Sequence, residues 1–283
     1  MLLRTGARAA LVVLATLGGV WACASEVDET PGPKPDSKPL PQPAGEGEIT
    51  QRGRILVAQS QAPLDGATIT VGARTTTAAA DGTYAIVAPR GVPYAMTVSA
   101  PEHYTLLEQE WIAEKDIVRS DTTMLPDTLA ALLAALLPNR DAEKGVLVVR
   151  VNAVRGCAGA GGTTLTLEPP GASLRYFAGG LPSGAATSVV ETEPLSAVFY
   201  DVPIGVPLRV TASSPRCPTL PFPVSEEDVT YTGNVVAQAG TSLSYVRVFL
   251  GGGPDAGGPD AGDAGDAGPG DAGAADASED ASP

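Results

Sequence analysis

The chain has 283 residues and a formal net charge of −14, with 18 Lys and Arg against 32 Asp and Glu. That balance excludes a nucleic-acid surface, which needs clustered basic residues to displace phosphate counterions, and leaves acidity to serve solubility. Glycine and proline, 33 and 26 in number, are densest in the two terminal segments, and about two hundred residues remain between those segments, enough for two sandwiches of about 100 residues each.

Residues 1–22 read as an export signal. Arg4 and Arg8 form a positive start, and the apolar run Ala9 to Val20 follows. The run is too short for a membrane span, which needs about twenty residues. Val20-Trp21-Ala22-Cys23 resembles the lipobox of bacterial lipoproteins, although Trp21 stands where the family favours a small residue. The resemblance implies that Cys23 becomes the first mature residue and carries a lipid, so that the partner at this end is a membrane. Ala22-Cys23-Ala24 also fits an ordinary small-x-small cleavage site, which keeps a secreted soluble protein as the alternative. Ala24 stands where inner-membrane lipoproteins often carry Asp, which points to the outer membrane. Residues 23–48 hold Pro31, Pro33, Pro35, Pro39, Pro41 and Pro43 and read as a disordered, extended tether.

Residues 49–125 carry the first run of strand signals. Ile49 to Ala58 and Ala67 to Gly72 alternate, and Ala62-Pro63-Leu64-Asp65-Gly66 turns the chain between them. Ala80-Asp81-Gly82-Thr83 is a tight turn before a strand at Tyr84 to Val87. Tyr94 to Ala100 returns the chain, and Thr105 to Ile112 with Ile117 to Leu125 reads as a last hairpin about Glu114-Lys115-Asp116. Short strands with turns at this spacing argue a β-sandwich. Gly53-Arg54-Ile55-Leu56-Val57, Pro63 through Val71, Asp81-Gly82-Thr83-Tyr84, Pro89 through Ala100 and Tyr104 resemble the carboxypeptidase regulatory-like domain, a transthyretin-like β-sandwich. The resemblance covers roughly a quarter of the chain. It implies a folding or interaction module and supplies no catalytic residue.

Residues 126–144 read as a helical linker. Leu129, Leu132, Leu133, Leu136 and Leu137 fall at helical spacing, Asp127 is placed to cap the start, and Pro138 ends the run. Residues 145–250 then repeat the first domain. Ala88-Pro89-Arg90-Gly91-Val92-Pro93 returns as Val202-Pro203-Ile204-Gly205-Val206-Pro207, and Gly145 to Val149 echoes Gly53 to Val57. Thr164 to Leu167 echoes Thr68 to Val71, with a longer middle from Pro169 to Pro194. Val235 to Ala239 and Leu243 to Leu250 would close this second sandwich. The expected fold class is therefore all-β: two Ig-like or transthyretin-like sandwiches joined by a short helix, between disordered terminal segments. Cys157 and Cys217 are the two cysteines beyond Cys23, and in an exported chain they pair as a disulfide across a loop of about sixty residues. Residues 251–283 hold only Gly, Ala, Asp, Pro, Ser and Glu and read as an acidic, disordered tail.

No catalytic constellation emerges. His103 is the single histidine and sits at a turn, Pro101-Glu102-His103-Tyr104. Ligand spacing for a metal is lacking, no cofactor is implied, and Gly159-Ala160-Gly161-Gly162 lies between strands rather than before a helix. Glu108 and Glu110 read as solvent-facing strand residues. Tyr176 and Phe177 are adjacent, so one of them should be exposed on a regular strand; with Trp111 they are the candidate ligand contacts. The leading expectation is a non-enzymatic, membrane-anchored structural or protein-interaction module of the cell envelope. The alternative is an accessory carbohydrate-binding lipoprotein, with a glycan partner, and a hydrolase is disfavoured.

Overall fold

The computed structural model describes residues 45–252 apart from Arg119 and Arg155. The expected signal segment, Cys23 and all but two residues of the expected tail lie outside the described residues, as does the Pro-rich segment up to residue 44.

The described residues are all-β with one short helix. The first half contributes β1 (Glu48–Val57), β2 (Thr68–Val71), β3 (Arg74–Thr77), β4 (Thr83–Pro89), β5 (Met96–Ser99), β6 (Thr105–Glu108), β7 (Trp111–Ala113) and β8 (Thr122–Met124). Helix α1 (Asp127–Ala134) follows. The second half contributes β9 (Gly145–Ala153), β10 (Thr164–Glu168), β11 (Ser173–Ala178), β12 (Leu181–Ser183), β13 (Ala197–Val202) and β14 (Pro207–Ser213). It ends with β15 (Val224–Glu226), β16 (Val229–Tyr231), β17 (Val235–Val236) and β18 (Ser242–Leu250).

The repeat seen in the sequence is a repeat of pairing. β1 runs antiparallel to β4 and parallel to β8, and β9 likewise runs antiparallel to β13 and parallel to β18. β2 pairs with β5 as β10 pairs with β14. The matching turns agree in detail. Gly91 and Gly205 have φ of 66° and 69°, a region that L side chains avoid. The N–H of Gly91 donates to Ala113 and that of Gly205 to Ala237, both at bond lengths near 3 Å. The halves part ways between the second and fourth strands of each repeat. β3 pairs with β2, whereas β11 crosses to pair with β13 and carries β12 beyond it.

Each half is a sandwich with its own core. Ile49, Ile55, Tyr84 and Ile86 of one sheet meet Ile69, Met96, Val98 and Leu106 of the other in the first half. Leu147, Val149 and Phe199 meet Leu165, Leu167, Leu208 and Val210 in the second. The two halves are also fused. β18 lies between β9 and β6, parallel to both, so a nine-stranded sheet runs β12-β11-β13-β9-β18-β6-β5-β2-β3. β16 likewise pairs with β7. β18 was expected to close the second sandwich, and it does so with Val246, Val248 and Leu250. Its opposite face gives Phe249, Tyr245 and Leu243 to the first core. Strand alternation thus serves two cores with one strand.

Three local expectations are corrected. The hairpin about Glu114 does not form. β6 pairs with β5 and β18, β7 with β16, and β8 runs parallel to β1. The pairing choices made by β7 and β6 lie more than a hundred residues away, where a local reading has no view of them. β3 was not foreseen, since Arg74-Thr75-Thr76-Thr77 is an exposed polar edge without an apolar alternation. Asp127 does not cap α1; Pro126 holds that position without a side-chain bond, and Asp127 is the first helical residue. Leu137, just beyond the helix, packs with Val146, Val148, Phe177, Val198 and Tyr200 on the outer face of the sheet. That cover explains why β9 opens with an unbroken apolar run, Val146 to Val149, as strands buried on both faces do.

Candidate functional site

The interior of the first sandwich is partly polar. Gln51 is fully buried on β1. Its amide nitrogen lies 3.2 Å from the Tyr84 hydroxyl and 3.0 Å from that of Ser120, and its carbonyl accepts from Tyr94 at 3.2 Å. Tyr84 donates to the Ser120 carbonyl at 3.0 Å. Burial raises the pKa of both tyrosines well above the ordinary phenol value, so they stay neutral donors. Trp111 sits edge-on to Tyr94, with ring centroids 6.0 Å apart, and next to Tyr231 at the same distance.

Beside this network a cavity of about 110 Å³ opens at the seam between the halves. Glu108, Gln109 and Trp111 line it from the first half, and Tyr231, Tyr245 and Arg247 from the second. Asp121, Glu227 and Asp228 make its rim acidic. Two rim carboxylates are already held: Asp121 by Arg54 at 2.7 Å and Asp228 by Lys115 at 2.6 Å. Glu108 accepts from the Thr122 hydroxyl at 3.1 Å. Burial raises its carboxyl pKa, against the opposing pull of Arg247 and of the Thr122 bond. Arg247 donates to the Tyr231 hydroxyl at 3.0 Å, and its guanidinium lies 5.5 Å from the Tyr231 ring centre and 5.9 Å from that of Tyr245, within cation–π range. Among the described residues no ion pair within 4.0 Å joins Glu108 to Arg247. Gln109 is 2% exposed; its carbonyl accepts from the Arg247 backbone N–H, and its amide nitrogen has no partner among the described residues.

A second polar knot surrounds the disulfide. Cys157 and Cys217 are bonded, with Cα atoms 5.8 Å apart. The Glu191 carboxylate accepts from the backbone N–H of Ala160 at 3.1 Å and of Gly161 at 2.6 Å, and pairs with Arg216 at 2.8 Å. A Cβ at Gly161 would stand 2.7 Å from that carboxylate. The glycine-rich run is therefore an internal anion nest that braces the bridge.

No family model matches the chain. No curated protein matches it. Among solved structures, the TIE protein of Bacillus anthracis shares 12% identity over 72% of this chain, with a TM-score of 0.21. The chain spans 34% of that protein's length. The minor pilin GBS52 of Streptococcus agalactiae shares 10% identity over 73% of this chain and 96% of its own, with a TM-score of 0.24. The major pilin of Streptococcus pyogenes shares 11% identity over 72% and 98%, with a TM-score of 0.20.

The candidate residues named from the sequence do not form one site. Trp111 is buried at the seam and lines the cavity. Tyr176 and Phe177 are both buried, at 6% and 3% exposure, so the expected exposed aromatic is corrected. Tyr176 joins the second core, where its hydroxyl accepts from Leu165 N–H, and Phe177 joins the core on the sheet's other face. Both faces of β11 are covered, which the sequence reading did not allow for. Glu108 is corrected too: it is half-buried in the cavity wall and accepts from Thr122. Glu110 is half-buried and accepts from Thr232 and Asn234. His103 lies at the turn, its Nδ1 2.8 Å from the Pro101 carbonyl. Among the described residues no group of three His, Cys, Asp or Glu is placed to hold a metal. Arg247 and Gln109 were missed. The readable signal was Arg247 itself, a charge in line with Leu243, Tyr245 and Phe249 on an otherwise apolar face of β18.

Proposed function

We propose that the chain is a non-enzymatic structural or protein-interaction module of the cell envelope, tethered to a membrane through a lipid on Cys23. The observation that carries the reading is the fusion of the two sandwiches by β18 into one sheet. Such a body transmits position and force without needing a reactive centre. The Cys157–Cys217 disulfide supports an oxidising compartment outside the cytoplasm. Ile204, Val206 and Val236 give the second half an exposed apolar surface; they are 44%, 38% and 42% exposed, and Val236 pairs beside them with Pro207. A protein partner in the envelope is the natural occupant of such a surface. The carboxypeptidase regulatory-like resemblance supports the same role, as an interaction module.

The experiment is intact mass and membrane partitioning of the protein made in a bacterial host, beside Cys23→Ala. The expected wild type carries a lipid mass and pellets with membranes, while the variant does neither. A soluble wild type beginning near Ser25 would overturn the tether. A second reading, an accessory carbohydrate-binding protein, is favoured by one observation, the polar cavity beside Trp111.

A further inference from the structure

The seam cavity has an unusual internal economy. Glu108 and Arg247 face it from opposite halves, carry opposite charge and do not pair directly. Both side chains are half-buried, and opposite charges drawn partly out of water normally close on each other, because leaving a charge there unpaired is costly. Glu108 and Arg247 thus offer a carboxylate acceptor and a guanidinium donor around one void. Water can fill it, and so can a solute that carries donors and acceptors on adjacent atoms.

The charge of that solute is constrained. Asp121 and Asp228 are offset by Arg54 and Lys115, but Glu227 on the rim and Glu108 in the wall still disfavour an anion. Arg247 already occupies the Tyr231 and Tyr245 ring faces, which repels a cation. A neutral solute remains. Vicinal hydroxyls meet the need, one donating to Glu108 while its neighbour accepts from Arg247. The volume, about 110 Å³, is smaller than the roughly 150 Å³ that admits a benzene ring. A pyranose would therefore enter edge first, with its remaining atoms in the open mouth.

We infer that the seam cavity binds a terminal sugar of a glycan, by one edge bearing vicinal hydroxyls held between Glu108 and Arg247. This rests on the carbohydrate reading and gives it a place. It also makes ligand binding a bridge between the two halves, since the groups come from β6 on one side and from β18 on the other.

The test uses the full chain and a panel of glucose, galactose, mannose and N-acetylglucosamine, read by tryptophan fluorescence and calorimetry. Trp111 lines the cavity and reports on it directly. The expected result is saturable binding of at least one sugar, weakened tenfold or more in the double variant Glu108→Leu, Arg247→Met. Replacing both charges together by apolar groups of like volume leaves neither one behind without its counter-charge, and circular dichroism checks that the fold is kept. Should the double variant unfold, Glu108→Gln keeps the shape; wild-type affinity should then change with pH as Glu108 ionises, and the variant's should not. Retention on an insoluble glycan that is equal in wild type and variant would overturn the cavity and leave the carbohydrate reading standing. Failure of every sugar and every insoluble glycan would overturn both.

Discussion

Glu108 is the residue whose surroundings make the sharpest demand on solution behaviour. Burial raises its carboxyl pKa, so the folded state holds the proton to a higher pH than the unfolded chain, whose glutamates ionise near pH 4.3. In that window the unfolded state binds fewer protons, and stability falls as pH rises. The loss starts near the unfolded value and levels off above the raised folded one. Denaturant titrations across this range should show wild type losing stability relative to Glu108→Gln as pH increases, with no further divergence beyond it. A difference that does not depend on pH would mean that Glu108 is solvated like an ordinary surface glutamate. Trp111 makes a second demand at this scale. It packs against Tyr94 and Tyr231, from different halves, so Trp111→Ala should cost about 3–5 kcal/mol, measured by urea unfolding. Neither demand was readable from the sequence: alternation put Glu108 outside, and the face of Trp111 depends on β16, which lies far along the chain.

At the scale of elements, what local chemistry controls was legible. The Asp81-Gly82 turn, the paired Pro-x-Gly-Val-Pro turns at Pro89 and Pro203, and the alternating strands that flank them stand where the sequence puts them. So does the disulfide, because the repeat aligns Cys157 and Cys217 at one end of the second sandwich. Its loop of 60 residues gives about 4 kcal/mol in the chain-entropy view. The variant Cys157→Ser, Cys217→Ser should lose about that much in urea unfolding, and reduction of the wild type should match it. Agreement with the surrounding Glu191 knot intact would assign the effect to the bridge. What escaped was whatever a distant partner decides: β3 as a polar edge, the separation of β7 from β8, and the burial of both Tyr176 and Phe177.

At the scale of the whole molecule, the sequence presents two successive domains, and the fold joins them through one strand. β18 is the last described strand, yet it completes the interior of both halves. A charge at Val248, which is fully buried in the second core, should therefore lower the stability of the first half as well. This is the physical content of the structural reading: the two repeats move and unfold together, and a load or a ligand at one is felt by the other. Hydrogen exchange read by mass spectrometry tests it most directly, comparing β4 and β5 of the first half with β13 and β14 of the second in wild type and Val248→Asp. A single cooperative unit predicts one common opening free energy for all four strands and a common drop in the variant. Separate opening energies, with the variant's loss confined to β13 and β14, would show two independent domains and contradict the account.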